Sequence, residues 1–435
     1  MKPLVSGLLL LTAVTLLAES AHALQPIELF LDAARETNPD TREARANTDT
    51  ARAQSMVSVG RLLPGLSLRG SYGRNQYETS IALPSSGGSP QTVTITPYDQ
   101  FEGVATVTVP LVNLADYWRT DVASLQTTSS KSQEASVALQ VESRVVQAYY
   151  QTIADLALIA ASERALGFSR ASLTLAQIRY QAGKTAAIDV DRAEAEVERQ
   201  IQQLAAARFQ LEVDRRSLRS LTGIEPDIRS APALQDDLRE ERPLDEFMAS
   251  EAKLPSVAAA AAASRAQEQQ AAAQRLTLLP VLAASFTERG TNAAGFSGHA
   301  WSWQAMLSLT WSFDLTSVGY IRQQDAQLGV AKAREEKVRI TARDSIHRAW
   351  NAVDASIARV RSARKQAQVS RRAADLARDR YTAGAATQLD LLQAERDAFL
   401  SEINQIQADA DLANARDQLR LAAGRSLVTK TEVRP

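Results

Sequence analysis

Residues 179–183 read Arg-Tyr-Gln-Ala-Gly, and residues 380–384, which lie 201 positions further along the chain, read Arg-Tyr-Thr-Ala-Gly. Asp189 follows the first copy at the same distance as Asp390 follows the second, and an Ala-Glu pair comes after each of them at matching positions. A constant offset between several matches indicates an internal repeat. The sequence therefore predicts two tandem copies of one unit of about 200 residues.

Both copies show the same order of sequence patterns. An amphipathic helical pattern comes first and ends at a Leu-Leu-Pro step, where proline stops the helix. Two strand-like runs follow, then a very long helical region, a glycine turn and a returning helix. The predicted helices cover residues 27–59, 114–182 and 186–222 in the first copy and residues 256–277, 317–383 and 387–423 in the second.

The helical region 114–182 is unusually long. It contains a single glycine and no proline, and at about 1.5 Å per residue it would span roughly 100 Å. Apolar side chains recur in it at helical spacing, as at Val137, Val141 and Val145, so other helices must lie along it. We predict long coiled-coil hairpins, with a bundle of several shorter helices as the alternative.

Aromatic and aliphatic residues alternate with polar ones in the strand-like runs. Residues 301–313 carry only Trp, Ala, Leu and Phe at odd positions and mainly Ser, Thr and Gln at even ones; the run 101–109 is similar, and the runs 66–73 and 282–286 are weaker. Such strands fit a transmembrane barrel wall with aromatic residues at both interfaces, but a half-buried soluble sheet alternates in the same way. The predicted interfacial aromatics are Tyr72, Tyr98, Phe101, Trp118, Trp301, Trp303, Trp311 and Phe313.

The N-terminus has the pattern of a secretory signal peptide. Lys2 precedes the apolar residues 8–17, and Ala21-His22-Ala23 forms a small-x-small cleavage site. The apolar run is short for a membrane span, although a retained anchor is the alternative. No later stretch approaches the roughly 20 apolar residues of a transmembrane helix. The mature protein is therefore expected to be exported.

Composition argues against several classes of function. The chain has no Cys, so disulfides, thiolate metal sites and an acylated N-terminal cysteine are excluded. Its three His make a histidine metal site unexpected, and its formal net charge of -1 offers no basic surface for nucleic acid. We find no nucleotide-binding loop or nucleophile–base grouping. Neither a cofactor, a metal nor a catalytic residue is expected.

The remaining segments complete the predicted organisation. The stretch 78–97, rich in Pro, Ser and Gly, predicts a mobile surface loop, and residues 289–300 are its shorter counterpart. A proline- and charge-rich segment separates the two copies. The predicted units are a signal peptide at 1–23, the first repeat at 24–223, the inter-repeat segment at 224–255, the second repeat at 256–425 and a tail at 426–435.

The number of strands predicts the oligomer. A membrane sheet cannot leave an edge unpaired in lipid, and four strands cannot close a barrel, because small barrels use about eight. Two chains would give an interior filled by side chains, whereas three chains would give a twelve-stranded barrel with a lumen. Polar inward faces favour the homotrimer.

With this duplicated plan, its Leu-Leu-Pro steps and its Tyr-x-x-Gly turns followed by Asp, the sequence resembles the TolC family of outer-membrane efflux proteins over essentially its whole mature length. The resemblance implies an α+β membrane protein in which four transmembrane strands and long α-helical hairpins per chain trimerise into a twelve-stranded barrel and a periplasmic tunnel. It implies a non-enzymatic exit duct of a tripartite efflux or type I secretion system in a Gram-negative outer membrane. Because the chain has no Cys, no lipidation is expected. The implied partners are a periplasmic adaptor (membrane fusion protein) and an inner-membrane RND, ABC or MFS pump.

The resemblance also places Gly183 and Gly384 at the periplasmic tips of the hairpins, with Lys184 and Ala385 beside them on the surface that docks the adaptor. Glycine is expected there because a tight helix reversal needs a positive φ. Thr387 can cap the returning helix in a capping box with Asp390, whereas Ala186 stands at the matching place of the first tip.

Gate residues follow from the same resemblance. Asp189 and Asp390 are the candidates for an acidic ring that narrows the entrance, and the alternative is a helix-dipole role in the first turn. Gln393 is a third candidate, since it stands where the family can carry a second acid. Lys184 replaces an apolar residue often found beside the tip glycine.

Two other functions are alternatives. A periplasmic adaptor would also have a signal peptide and a helical hairpin, but only one hairpin, flanked by small β-domains. A structural coiled-coil protein of the envelope would lack strands in the middle of each copy.

Overall fold

The computed structural model describes residues 24–83, 91–228, 234 and 236–428. The predicted signal peptide at 1–23, the centre of the predicted loop 78–97 and the last residues of the predicted tail lie outside these ranges. The described helices are α1 (Ile27–Thr37), α2 (Pro39–Gly60), α3 (Leu114–Gln181), α4 (Ala187–Thr222), α5 (Leu244–Met248), α6 (Pro255–Leu276), α7 (Leu315–Thr382) and α8 (Gln388–Ala422). The described strands are β1 (Gly65–Arg74), β2 (Thr79–Leu83), β3 (Gln91–Thr96), β4 (Asp99–Val112), β5 (Val281–Thr291) and β6 (Trp301–Thr310).

The long helices confirm the prediction of unbroken hairpins. Helices α3 and α7 have 68 residues each, so each is roughly 100 Å long. Asn113 begins α3 by accepting a hydrogen bond from the backbone N–H of Asp116, 3.2 Å away, and Asp314 caps α7 through the N–H of Thr316. The two helices begin and end 201 positions apart, as the repeat requires.

The predicted single helix over residues 27–59 is wrong. It is divided at Asn38, whose backbone is extended with φ -63° and ψ 132°. The residue before a proline is disfavoured in the helical region, and Pro39 is itself well suited to the first position of a new helix. The Asn38 side chain caps α2 by accepting from the N–H of Asp40 at 2.9 Å.

The four predicted strand runs form one antiparallel sheet in the order β1-β4-β5-β6. The predicted loop 78–97 is partly wrong, because it contains strands β2 and β3, which pair as a hairpin. Alternating Thr with Val and Ile in residues 91–96 is the signal that could have predicted β3. Strand β6 ends at Thr310, so Trp311 and Phe313 follow the strand instead of belonging to it.

Helices of the two repeats pack on each other beside the sheet. Helix α3 packs against α2 and α4 of its own repeat and against α6 and α8 of the other. The inter-repeat segment lies on α7 and α8, where the Arg416 side chain pairs with Asp236 at 2.7 Å and with Glu241, and the Trp350 Nε1 donates to the Arg242 carbonyl at 3.0 Å. The core of the second repeat is formed by Val353, Ile357, Val360 and Leu412 together with Phe247 of α5.

A buried ion pair joins α1 to α3 and to the end of the described chain. The Glu142 carboxylate is 1% exposed and accepts from the Arg35 Nη2 at 2.6 Å and from the Ser426 hydroxyl at 3.0 Å. Removing one partner of such a pair leaves a charge in the protein interior without compensation.

We expect Arg35→Ala to destabilise the protein by about 3 kcal/mol per chain, because it leaves the buried Glu142 carboxylate without its cationic partner. Thermal unfolding of the purified protein in detergent checks this. Arg52→Ala is the matched control, since its partner Asp49 is exposed, and a surface pair is worth at most about 1 kcal/mol. Equal melting temperatures for the two variants would contradict the assignment.

A second buried acid, Asp155, lacks a cationic partner within the described ranges. It is 2% exposed, its Oδ1 accepts from the Gln151 Nε2 at 3.2 Å, and the Asp214 carboxylate lies beside it. Burial first and the Asp214 carboxylate second raise the pKa of Asp155 to about 7. The native state therefore holds a proton on this acid that the unfolded chain releases above about pH 4.

Because the native pKa lies above the unfolded one, Asp155 costs stability as pH rises, by up to about 1.4 kcal/mol per pH unit between about pH 4 and 7. Asp155→Asn should therefore raise the melting temperature at pH 8 and have little effect at pH 4.5. Melting curves of both proteins across this range measure the effect, and a difference that does not change with pH would refute it.

Candidate functional site: the membrane sheet and the hairpin tips

The register of the sheet brings its apolar positions to one face. Residues that lie opposite each other on neighbouring strands share a face. Leu282 pairs with Leu309, and Phe286 pairs with Ala305 on one side and with Val107 on the other. Val107 in turn pairs with Leu66. The alternation predicted separately for each strand therefore adds up to one apolar surface across the four strands, which Glu288, opposite Trp303, interrupts towards the end of the sheet at which β6 begins.

The opposite face is polar. Arg289 Nε pairs with Glu102 Oε1 at 2.7 Å, and the hydroxyls of Thr106 and Thr287 lie 3.2 Å apart. The Ser308 hydroxyl donates to the Ala283 carbonyl at 3.3 Å. The two faces of the sheet thus suit different surroundings, one apolar and one that solvates charges and hydroxyls.

Nothing in the described part of the chain covers the apolar face. Trp301 and Trp303 are each 71% exposed, and Leu309 is 67% exposed. An exposed apolar surface of this extent on a monomer indicates a membrane or another protein chain. The edge strands β1 and β6 each pair on one side only, so both sheet edges are open within these ranges.

Aromatic side chains lie towards both ends of the sheet. At one end the rings of Tyr72 and Phe101 are 5.1 Å apart, and Tyr98 lies just before the same strand. Strand β6 begins at that end with Trp301. Two residues further along, the Trp303 ring stacks on the Phe286 ring with their centres 6.1 Å apart. At the other end are Trp311, whose Nε1 donates to the Leu278 carbonyl at 3.0 Å, and Phe313. Trp118 belongs to that end too, but in the first turns of α3 and not in a strand.

The tips of the two hairpins have the same backbone geometry. Gly183 and Gly384 have φ angles of +67° and +76°, in the left-handed region that favours glycine. The N–H of Lys184 reaches back to the Arg179 carbonyl at 2.8 Å, and the N–H of Ala385 makes the same 2.8 Å bond to Arg380. This closing bond satisfies carbonyls that the helix end leaves free. The predicted positive φ at both glycines is confirmed.

The caps of the returning helices differ between the tips. In the second, the Asp390 N–H donates to the Thr387 hydroxyl at 3.2 Å, and the Asp390 carboxylate accepts from the Thr387 N–H at 3.0 Å. This is the predicted capping box, and these hydrogen bonds hold the pKa of the exposed Asp390 below its usual range. In the first, Ala186 provides no side-chain cap, as predicted.

The candidate gate residues therefore lie in different electrostatic surroundings. Asp189 accepts from the Thr185 hydroxyl and pairs with Arg192 at 3.5 Å. Asp390 has no cationic partner in the described ranges and is exposed. The Gln393 Nε2 donates to Asp397 at 3.0 Å, so its amide is directed along α8. Lys184 is exposed beside its glycine.

Sequence reasoning missed how the two tips are joined. The Arg179 guanidinium lies 4.3 Å from the centre of the Tyr381 ring, and its Nη2 donates to the Thr382 carbonyl at 3.1 Å. Both side chains belong to the repeated motif, but a repeat within one sequence does not show which copies touch. The recurrence of an Arg-Tyr pair at each tip is the signal that could have suggested it.

A cavity of about 470 Å³ lies between the hairpins above the tips. Its wall includes Glu196, which is 3% exposed and pairs with Arg396 at 2.8 Å and with Arg199. Burial raises the pKa of Glu196, but the hydrogen bonds from Arg199, Gln200 and Arg396 outweigh it and leave that pKa below its usual value. The Glu196–Arg396 pair joins α4 to α8.

Among the described residues, no cluster of His, Cys, Asp or Glu side chains could hold a metal ion.

Among the described helices, none has the length and apolar character needed to cross a membrane.

The sequence profile of the family described as "Outer membrane efflux protein" matches residues 30–224 and 249–425. The chain is also similar to the outer membrane efflux protein BepC of Brucella suis biovar 1 (strain 1330), with 27% identity over 285 residues. That match spans 64% of this chain and 62% of BepC.

Solved structures of outer-membrane channels share the fold. The CmeC channel of Campylobacter jejuni has a TM-score of 0.79 at 18% identity, over 92% of this chain and 86% of its own. The open state of the MtrE channel of Neisseria gonorrhoeae has a TM-score of 0.75 at 20% identity, over 94% and 92%. Identities this low establish the fold, and the family profile, which covers most of the chain, confirms the predicted resemblance. This chain therefore belongs to the TolC-type family of outer membrane efflux proteins and resides in the outer membrane.

Proposed function

We propose that three copies of this chain form the exit duct of a tripartite efflux or type I secretion system. The observation that carries the proposal is the sheet, with its uncovered apolar face, its polar face and its two open edges. In this arrangement the apolar face meets lipid and the polar face lines a water-filled lumen. The duct performs no chemistry, and an inner-membrane pump supplies the energy.

The open edges support a closed assembly of several chains. In hydrocarbon, each backbone N–H or C=O without a partner costs several kcal/mol, so a lipid-facing sheet must close on itself. Pairing β6 of one chain with β1 of the next satisfies both edges. Three chains give twelve strands, which is wide enough for a lumen, whereas eight strands would be filled by their own side chains.

The long helices support the same ring. Helix α3 packs on α2 and α4 of its own repeat and on α6 and α8 of the other. Helix α7, the counterpart of α3 in the second repeat, packs on α6 and α8 of its own repeat. The side of α7 that corresponds to the α6- and α8-facing side of α3 has no long helix against it in the described chain. Helices α2 and α4 of the next chain are the elements that would cover it, so the hairpins continue as a closed tunnel.

At the far end of the tunnel, the tips form the periplasmic entrance. Three copies of Asp390, each without a cationic neighbour in the described chain, would make a negative constriction. Asp189 is a weaker contributor because it pairs with Arg192. Gln393 adds no charge, so the gate has one acidic ring from the second tip.

The outer surface of the tips is the proposed contact with a periplasmic adaptor. Gly183, Lys184, Gly384 and Ala385 form the turns there, and both turns have the same geometry. The adaptor connects the duct to an RND, ABC or MFS pump of the inner membrane. At the other end, the eight predicted aromatics form the two interfacial belts, with Trp118 contributing from the first turns of α3.

Fractionation of cells that express the full chain tests the duct. We expect the protein in the outer membrane as a trimer that survives on an unheated gel and separates into monomers after boiling. Recovery as a monomer in the soluble periplasm would refute the assembly, because the open sheet edges would then be stable in water.

Asp390→Ala should raise the single-channel conductance in planar bilayers and weaken block by a trivalent cation by at least about tenfold, since the ring loses three unit charges and each pair of unit charges at contact distance contributes about 1 kcal/mol in water. Asp390→Asn separates charge from capping, because it keeps a capping oxygen. Gln393→Ala is the matched control one turn further along α8. Unchanged conductance and block in both Asp390 variants would refute the gate.

A further inference from the structure

Arg179 and Tyr381, which join the two tips within a chain, are more buried than Arg380 and Tyr180, the residues at the equivalent positions of the other repeat. The Tyr381 ring under the Arg179 guanidinium is 2% exposed. Its counterpart in the first repeat, Tyr180, is 50% exposed. Arg380, the counterpart of Arg179, is exposed, and within the described ranges its side chain makes no hydrogen bond, ion pair or ring contact.

Residues that lie 201 positions apart occupy equivalent places in the structure as well as in the sequence. Helices α3 and α7 have equal length and begin at Leu114 and Leu315, and α4 and α8 begin at Ala187 and Gln388, always 201 positions apart. Both glycine turns close with the same backbone hydrogen bond. An arginine and a tyrosine therefore stand at equivalent places on both tips, but one chain brings together only Arg179 and Tyr381.

Other side-chain contacts between the two hairpins do not recur when both partners are shifted by 201 positions to the other repeat. Three of them are Arg164 with Glu402 at 2.8 Å, Arg378 over the Phe168 ring at 4.6 Å, and the Tyr150 hydroxyl with Asp417 at 2.8 Å. After a shift of 201 these pairs become Lys365 with Ile201, Gln177 with Val369, and Asn351 with Arg216. None of the three keeps both partners, whereas the arginine and the tyrosine at the tip are both kept.

We propose that Arg380 of one chain stacks on the partner subunit's Tyr180 and so repeats between chains the contact that Arg179 and Tyr381 make within a chain. The proposal rests on the homotrimer of the proposed function. In that ring each second hairpin stands beside the first hairpin of the next chain. The same guanidinium–ring contact then alternates within and between subunits around the entrance and covers the exposed face of Tyr180.

The two kinds of joint differ in strength. The joint within a chain has the Arg378–Phe168 and Arg164–Glu402 contacts above its Arg–Tyr pair. The joint between chains has neither, because the corresponding positions carry Gln177, Val369, Lys365 and Ile201. We therefore expect the seams between subunits to separate more easily than the two hairpins within a chain.

A chain without cysteine allows a direct test by cross-linking. The double variant Tyr180→Cys with Arg380→Cys, treated with a short bismaleimide in outer membranes, should give covalent dimers and trimers on a denaturing gel. The matched variant Arg179→Cys with Tyr381→Cys should link within the chain and remain at monomer size. An intact trimer on an unheated gel without covalent dimers from the first variant would overturn the proposed contact. Monomers on the unheated gel would overturn the trimer itself and this contact with it.

Channel recordings test the consequence for opening. Arg380→Gln should raise the fraction of time spent open by at least about two- to fivefold, which is the factor that loss of one exposed cation–ring contact predicts for a single seam. Arg179→Gln should have a smaller effect, since other contacts hold that joint. Arg372→Gln, an exposed arginine of α7 without a contact in the described chain, controls for the loss of charge. An Arg380→Gln trimer with wild-type opening, or a larger effect from Arg179→Gln, would overturn the proposal.

Discussion

A strand edge in hydrocarbon has no water to bond with, and this constraint governs the whole molecule. Each N–H or C=O group on such an edge must find a backbone partner or cost several kcal/mol. Within the described residues, the four-stranded sheet leaves the outer edges of β1 and β6 unpaired, so a single chain would expose these backbone groups to lipid. In the proposed ring, further copies of the chain supply the strands and helices that these open edges and the flank of α7 lack.

Much of this plan could be predicted because it depends on local rules. The 68-residue helices have almost no glycine and no interior proline, and the strands alternate with period two, so their type follows from the sequence. The break at Asn38 also has a local cause, but the helical pattern on both sides concealed it. The β2–β3 pair was not predicted because the sequence between the two strands is rich in Pro, Ser and Gly, a composition typical of loops, and because both strands are short.

The tips show where local rules are insufficient. The glycine turns and the capping box were predictable, since each involves residues a few positions apart. The Arg179–Tyr381 contact joins residues about 200 positions apart, and only the packing of α3 against the other repeat brings them together. The same is true of the ion pair between Glu196 of α4 and Arg396 of α8, which lie 200 positions apart. Identical turns thus acquire different distant neighbours. Asp189 and Asp390, by contrast, differ through the local sequence, because Arg192 pairs with Asp189 whereas Gln393 stands at the equivalent position after Asp390.

The Glu142 carboxylate connects the beginning of the chain with its end. It accepts from Arg35 in the first helix and from Ser426, which lies beyond the last one. In the order of the chain, Ser426 comes after every described helix and strand. A polypeptide that stops before this serine would keep the contact of α1 with α3 through Arg35, but it would lack the hydroxyl that completes the hydrogen bonds of the Glu142 carboxylate. The solvation of one buried acid thus depends on a segment about 280 positions further along the chain.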